Sequence, residues 1–550
     1  MSSVAMEIDA PVEASLSELP WWKGAVIYQI YPRSFLDTNG DGIGDLRGIY
    51  EGLDHIASLG VDGIWISPFF TSPMADYGYD VADFCGVDPI FGTLEDFDAV
   101  IEKAHSLGLK VIIDQVYSHT SDQHDWFIES RVSRDNDKAD WYVWAEPKPD
   151  GSPPNNWQSV FGGASWEWDA RRGQYYMHNF LKEQPDLNVH NPAVQDALIA
   201  AGKFWLDRGV DGFRLDALNF SMHDRELKDN PPSGVSSADA TRPFDMQVHV
   251  NNMSQPQVVG FIEKFRAMLA AYPGTFTVAE VGGPQPIEEM KAFTQGDGRL
   301  NSAYNFDFLY APELSAERVM RSAGLWDQAE GEGWPSWAFS NHDAPRAVTR
   351  WAAPEHREEM VRLYMMLLLS LRGNPIIYQG EELGLPQANV AFEDLKDPEA
   401  IINWPKTLGR DGARTPFPWV SGAAHAGFSD GEPWLPVDPV HAELALDRQQ
   451  GNDSMVRFTR QSLELRKGLP ALVGGGMRFV EGLGEAFLAI ERTGEAQRVL
   501  SLFNLSAHDV DLTGDLIAGG QIALSSRPLK DDVLSTLKMP ARTGLWVRFD

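Results

Sequence analysis

Along the chain, short runs of consecutive apolar residues alternate with longer stretches whose apolar residues recur every three or four positions. The short runs predict strands buried on both faces, and the longer stretches predict amphipathic helices. Eight strands are expected, at residues 26–31, 63–68, 110–116, 212–218, 275–281, 303–308, 337–341 and 375–379. Helical periodicity fills 46–59, 94–107, 193–206, 258–271 and 358–371, and several of these stretches are closed by Gly. Eight strand-helix units predict an α/β chain closed into a (β/α)8 TIM barrel, whose functional groups gather at the C-terminal ends of the strands.

Two stretches break the alternation. About 95 residues separate the third strand from the fourth, far more than a helix and two loops need. Residues 120–192, rich in Trp, Pro, Gly and Asn, are therefore expected to form an inserted, irregular, β-containing subdomain. After a last barrel helix near 455–466, short alternating runs at 486–491, 498–503 and 544–549 predict an all-β C-terminal domain. The expected division is a flexible leader at 1–20, a barrel at 21–119 and 193–470, the insert at 120–192 and the β-domain at 471–550.

Charge and cysteine usage narrow the partners. Lys and Arg number 46 against 79 Asp and Glu, a formal net charge of −33, which argues against nucleic acid because phosphate binding needs a basic face. The single cysteine, Cys85, permits no intrachain disulfide and no cysteine cluster, as expected among reduced thiols. The first residues lack the basic start and apolar stretch of a secretory signal, and the longest strongly apolar run, 364–371, is too short to span a bilayer. A cytoplasmic protein acting on small molecules, without membrane or nucleic-acid partners, is expected.

The chemistry lies in polar residues at strand ends: Asp114 to His119 after the third strand, Arg214 and Asp216 on the fourth, Glu280 on the fifth, and Asn341-His342-Asp343 after the seventh. Residues two apart on a strand share a face, so Arg214 projects beside Asp216 and keeps that carboxylate ionised, as a nucleophile requires. Glu280 on the neighbouring strand is then the candidate acid, its pKa raised by desolvation and nearby negative charge. Two carboxyls so placed fit the geometry of a retaining glycosidase. Taken singly, these residues read as a structural ion pair, a solvated strand-end acid and core histidines; arriving together at one end of four strands, they point to a site.

These blocks resemble the alpha-amylase family of retaining glycosidases over nearly the whole chain. The stretch Gln184-Pro-Asp-Leu-Asn188 and the opening residues 21–35 are similar to its oligo-1,6-glucosidase and alpha-glucosidase branch. The resemblance implies that Asp216 is the nucleophile, that Glu280 is the acid and then the base, and that Asp343 stabilises the transition state. It implies sugar contacts from His119 and His342, with Arg214 orienting the nucleophile. Asp76 and Tyr79 resemble residues of the first sugar subsite, and Arg414 resembles the arginine that pairs with that aspartate, while Arg410 is expected in an ordinary surface loop. A charged pair across the floor implies exo action, removing single glucoses from the non-reducing end. Phe161, Phe180 and Phe220 are candidate walls.

Branch members that cleave α-1,6 bonds typically carry Val after the nucleophile; here Ala217 tilts the expectation toward α-1,4 bonds, with maltose-like substrates and some transglucosylation. A glucosyltransferase, an isomerase or a sucrose hydrolase is the alternative within the family, since a sugar can capture the glucosyl enzyme in place of water. An inactive transporter-ancillary or sugar-binding protein is the alternative outside it, though such proteins tend to lack these acids and need a membrane anchor. The acidic turn 37–45 puts oxygens at alternate positions without the Glu of an EF-hand at its twelfth place, which is Gly48. The resemblance implies a structural Ca2+ or Mg2+ there, held by Asp37, Asn39, Asp41, the Ile43 carbonyl and Asp45, and no organic cofactor.

Overall fold

The computed structural model describes residues 19–549 apart from 327–332, 408, 482–485, 495–496, 513 and 530–532. Residues 1–18 of the expected leader thus lie outside the described residues. Eight parallel strands close into a barrel: β1 (Ile27–Ile30), β2 (Gly63–Ile66), β3 (Lys110–Val116), β4 (Gly212–Asp216), β5 (Phe276–Val281), β6 (Ser302–Asn305), β7 (Trp334–Ala338) and β8 (Asn374–Tyr378). Each pairs with its sequence neighbours, and β1 closes the ring against β8 with Ile27 opposite Ile376.

Period-two alternation divides the barrel residues between two cores. Ile27, Trp65, Ile112, Phe276, Val278, Tyr304, Ala338 and Ile376 cluster inside the ring. Their chain neighbours Tyr28, Ile64, Ile66, Val111, Ile113, Phe213, Ala279 and Ile377 pack outward with the helices. Gly212 opens β4 where a Cβ would lie 2.4 Å from the Phe276 carbonyl oxygen, so a side chain there would push β4 off β5.

The helices start where the sequence offers caps. Helix α1 (Leu46–Leu59) begins at Asp45, whose carboxylate accepts from the Gly48 N–H at 2.6 Å, and ends at Gly60, whose φ of 92° few other residues tolerate. A capping box between Thr93 and Asp96 opens α2 (Leu94–Ser106), and Asn191 followed by Pro192 opens α3 (Pro192–Asp207). Helices α4 (Val258–Leu269) and α5 (Arg357–Ser370) complete the set that periodicity predicts. Strand limits moved further: β7 starts three residues before the expected 337, and β6 stops at Asn305 instead of 308. Pro335 has no N–H to give a ladder and reads as a breaker, yet it sits inside β7 opposite Ala303.

Between β3 and β4, Trp144–Ala145, Trp166–Asp169 and Gln174–Met177 form a three-stranded antiparallel sheet, with Trp157 stacked on Trp166. It is tied to the long loop after β4 by Trp157 Nε1 donating to the Lys228 carbonyl at 2.8 Å and Asn156 Nδ2 to the Asn230 carbonyl at 2.9 Å. Beyond the barrel, β9 (Gly476–Phe479), β10 (Phe487–Gly494), β11 (Gln497–Asn504), β12 (Gln521–Ser525) and β13 (Thr543–Phe549) form an antiparallel sheet in the order β9-β10-β11-β13-β12. This sheet covers α5, which is buried from Leu363 to Ser370; Trp546 Nε1 donates to Ser370 Oγ at 2.8 Å and Arg492 to the Ser370 carbonyl at 3.0 Å. Among the described residues no helix is long and apolar enough to cross a membrane.

The expected Ca2+ or Mg2+ site at Asp37, Asn39, Asp41, Ile43 and Asp45 is overturned. Among the described residues no group of three or more His, Cys, Asp or Glu side chains is placed to hold a metal ion. The turn's own N–H groups engage the oxygens instead. Asp37 accepts from the backbone of Asn39, Gly40 and Gly42 and from the Ser429 hydroxyl, Asn39 accepts from Asp41, and Asp41 from Ile43. Asp45 is turned to Thr38 and to the α1 terminus. A pattern of alternating oxygens is what a chain of Asx turns produces as well as what a cation loop needs. Asp45→Ala is expected to cost about 1 kcal/mol through loss of the cap, read as a lower urea midpoint at unchanged m-value.

Candidate active site

The same alternation that fills the barrel with Ile112 and Val278 turns Asp114, Arg214, Asp216 and Glu280 inward at the C-terminal rim. Asp114 stands opposite Arg214 in the β3–β4 register. Arg214, fully buried, is the hub: Nη1 donates to Asp114 Oδ1 at 2.6 Å and to Asp216 Oδ1 at 2.5 Å, Nη2 donates to Glu280 Oε2, and Nε and Nη2 reach the Tyr304 hydroxyl. Trp65 lies under the guanidinium at 5.0 Å and gives its indole N–H to Asp114. Burial pushes the Glu280 carboxyl well above its ordinary range; Arg214 opposes this, and the negative charges of Asp216 and Asp343 add to it. Burial likewise lifts Asp114 to about 7 despite Arg214.

A second charged group faces the first. Burial pushes the Asp343 carboxyl upward, but His342, Arg414, Arg410 and Arg214 outweigh it and hold the group well below the usual carboxylate range. Arg414 Nη2 donates to Asp343 Oδ1 at 2.8 Å and its Nε to the His342 carbonyl at 2.7 Å. The expected pairing of Arg414 with Asp76 is therefore wrong. Arg410, expected in a surface loop, is 7 % exposed and makes that pair, with Nη2 2.8 Å from Asp76 Oδ1 and Nη1 3.5 Å from Asp343 Oδ1. The two arginines lie four residues apart across the short helical turn 411–414, so both reach one carboxylate.

The histidines are neutral donors. Burial lowers His342 to about 3; Gln29 Nε2 donates to its Nδ1 at 2.7 Å, which leaves the proton on Nε2, toward the Tyr79 hydroxyl at 2.5 Å and Asp343 Oδ2 at 3.1 Å. The Tyr79 ring stacks on His342 with an interplanar angle of 6°. Burial also lowers His119, whose Nε2 faces the Tyr79 carbonyl at 3.1 Å; Gln184, from the Gln184–Asn188 block, touches both His119 and Asp76.

These groups surround one cavity of about 550 Å³. Asp76, Tyr79, His119, Asp216, Ala217, Glu280, Asp343 and Arg410 line it, with Phe161, Phe180 and Phe220 as walls, while Arg214, His342 and Arg414 stand behind the lining and hold it. Ala217 adopts φ 40°, ψ 41°, a left-handed turn that aims its N–H at Glu280 Oε2, 3.3 Å away. Sequence reasoning missed the outer wall. Arg242, Phe244, Val248, His249 and Met253, from the long loop after β4, line the cavity with Tyr310 and Glu399. That loop lacks periodicity, and its one signal was its length.

A closed parallel barrel with an acid pair and an arginine at its C-terminal rim defines an enzyme of the (β/α)8 class. The model of the alpha-amylase catalytic domain matches residues 29–475. The chain is 53 % identical over 495 residues, 88 % of this chain and 89 % of the other, to a probable alpha-glucosidase of Rhizobium meliloti (strain 1021). It is 36 % identical over 531 residues, 89 % of this chain and 93 % of the other, to an oligo-1,6-glucosidase of Heyndrickxia coagulans. Among solved structures, an alpha-glucosyl transfer enzyme superposes with a TM-score of 0.91 at 48 % identity, covering 97 % of this chain and 100 % of that one. The chain belongs to the alpha-amylase family, in its oligo-1,6-glucosidase and alpha-glucosidase branch, and is a retaining enzyme of short α-glucosides.

Removing the hub tests the electrostatics. Arg214→Leu leaves three buried carboxyls without their cation and is expected to cost about 3–5 kcal/mol at neutral pH. Asp114, already lifted to about 7, and Glu280 would rise further, so the folded variant binds more protons than the unfolded chain and its stability falls as pH rises. The loss should be smaller at pH 5 than at pH 8 by urea titration.

Proposed function

We propose that the chain is an exo-acting α-glucosyl-transferring enzyme that passes glucose from the non-reducing end of a short α-glucoside to a sugar acceptor as well as to water. The observation that carries this reading is the single guanidinium bridging Asp216 and Glu280 at the cavity floor. One fork joining both carboxyls fits the roughly 5 to 5.5 Å separation of retaining enzymes. In the first step an Asp216 oxygen bonds to the anomeric carbon while the glycosidic bond breaks, and the departing oxygen takes the Glu280 proton. In the second, Glu280 takes a proton from the acceptor hydroxyl as that oxygen bonds to the anomeric carbon and frees Asp216. Two inversions give net retention.

The environments divide the roles. Burial and two neighbouring acids raise Glu280 well above the ordinary carboxyl range against the pull of Arg214, as suits a general acid, while three arginines hold Asp343 well below that range where positive charge develops on the sugar ring. The Asp76–Arg410 pair closes the floor and accounts for exo action. Beyond the acids the cavity turns apolar with Phe161, Phe180, Phe220, Phe244 and Met253, a wall that suits the face of an acceptor better than free water. The similarity to an alpha-glucosyl transfer enzyme supports transfer over simple hydrolysis. The oligo-1,6-glucosidase relative supports α-1,6 ahead of the α-1,4 preference expected from Ala217. In this reading residues 21–119 and 193–470 form the catalytic barrel, 120–192 one wall of the pocket and 471–550 its outer support, in a cytoplasmic protein.

Proton NMR of the purified protein with maltose, isomaltose and sucrose, each alone, tests the reading. α-Glucose is expected first, with new oligosaccharides accumulating and isomaltose consumed faster than maltose. β-Glucose first would overturn retention, glucose without oligosaccharides would overturn transfer, and faster maltose would restore the α-1,4 preference. Asp216→Asn should lower turnover on the order of 10⁴-fold or more. Because the acid must carry a proton, kcat/KM should fall on the alkaline side as Glu280 ionises. Glu280→Gln should abolish that limb and slow disaccharides more than glucosides with an activated aryl leaving group.

A further inference from the structure

Arg410 touches both Asp76 and Asp343, and its direction is set from behind. Asp397, fully buried, accepts from the Arg410 N–H at 2.6 Å through Oδ2, and from Nε at 3.1 Å and Nη2 at 2.8 Å through Oδ1. Those contacts occupy the inner edge of the guanidinium, so the remaining hydrogens of Nη2 and Nη1 point to Asp76 and Asp343. Phe161 lies over one face of the group at 5.0 Å. Asp397 is in turn anchored: Oδ1 accepts from Glu399 N–H at the start of the helix Pro398–Asn403, and its own N–H donates to Asp411.

The backbone beside this pair is shaped for it. Gly409 has φ 64°, and a Cβ there would lie 2.4 Å from Asp397 Oδ2 and 2.6 Å from the Ala400 Cβ. A glycine is needed both for the conformation and for the approach of the carboxylate.

We propose that Asp397 is a positioning residue for the sugar-binding floor, holding the Arg410 fork so that Asp76 and Asp343 are served at once, with Gly409 as its seat. It lies behind the cavity lining, away from the reacting carboxyls, and acts on the floor through Arg410. This rests on the glucosyl-transferring reading, and the wild-type NMR assay separates the two: if the wild type releases no glucose, that reading fails before this one is tested.

The experiment is a double-mutant cycle on the full chain, with isomaltose and maltose as probes. Asp397→Asn is expected to lower kcat/KM by about 10- to 100-fold, mostly through KM, because a charge-assisted contact is lost and Arg410 is free to turn. In an Arg410→Ala background the same change is expected to have almost no further effect. Full additivity of the two losses, or a lowered unfolding midpoint with kcat and KM intact, overturns the proposal. If Asp397→Asn does not fold, Gly409→Ala takes its place in the cycle, with the same two outcomes.

Discussion

Everything at the top of the barrel depends on one buried guanidinium. Arg214 draws three carboxyls from three adjacent strands and a tyrosine from a fourth around a single cation. Burying an ion costs several kcal/mol after relaxation, so the cluster persists only because its members satisfy one another. The hub also constrains geometry: the planar fork sets the distance between Asp216 and Glu280 more tightly than the two strands would by themselves.

Around this hub the same residue type is driven in opposite directions by its surroundings. Glu280 meets burial and two acids with one shared cation, whereas Asp343 meets burial with two arginines of its own. The polarity of the cavity follows from where the arginines fall. Arg410 and Arg414 gather at Asp76 and Asp343, and Phe161 lies against Arg410, so the charged floor and the aromatic wall meet there.

Much of this was legible because strands have a period of two. Once Ile112 and Val278 are read as inward, Asp114, Arg214, Asp216 and Glu280 must follow, and the fold adds distances more than identities. Besides the outer wall of the cavity, three things were not legible. The limits of β7 were hidden by Pro335, which breaks the local pattern while a neighbouring strand tolerates it. The choice between Arg410 and Arg414 lies in a short turn where either arginine satisfies local rules, and only the approach of Asp76 and Asp397 from distant segments decides it. The acidic turn at 37–45 carried a cation pattern whose oxygens serve its own backbone.

From Leu363 to Ser370 helix α5 has no solvated face, since the antiparallel sheet lies where water would meet an ordinary barrel helix. A helix apolar on all sides cannot remain exposed without inviting association. During synthesis α5 and β8 emerge well before β13, the strand that carries Trp546, so the ring can close some time before its outer seal exists. The interval between those two events is when the nascent chain presents its stickiest surface. Changes in the distal sheet would then be felt as yield of soluble protein before they are felt as any change in chemistry.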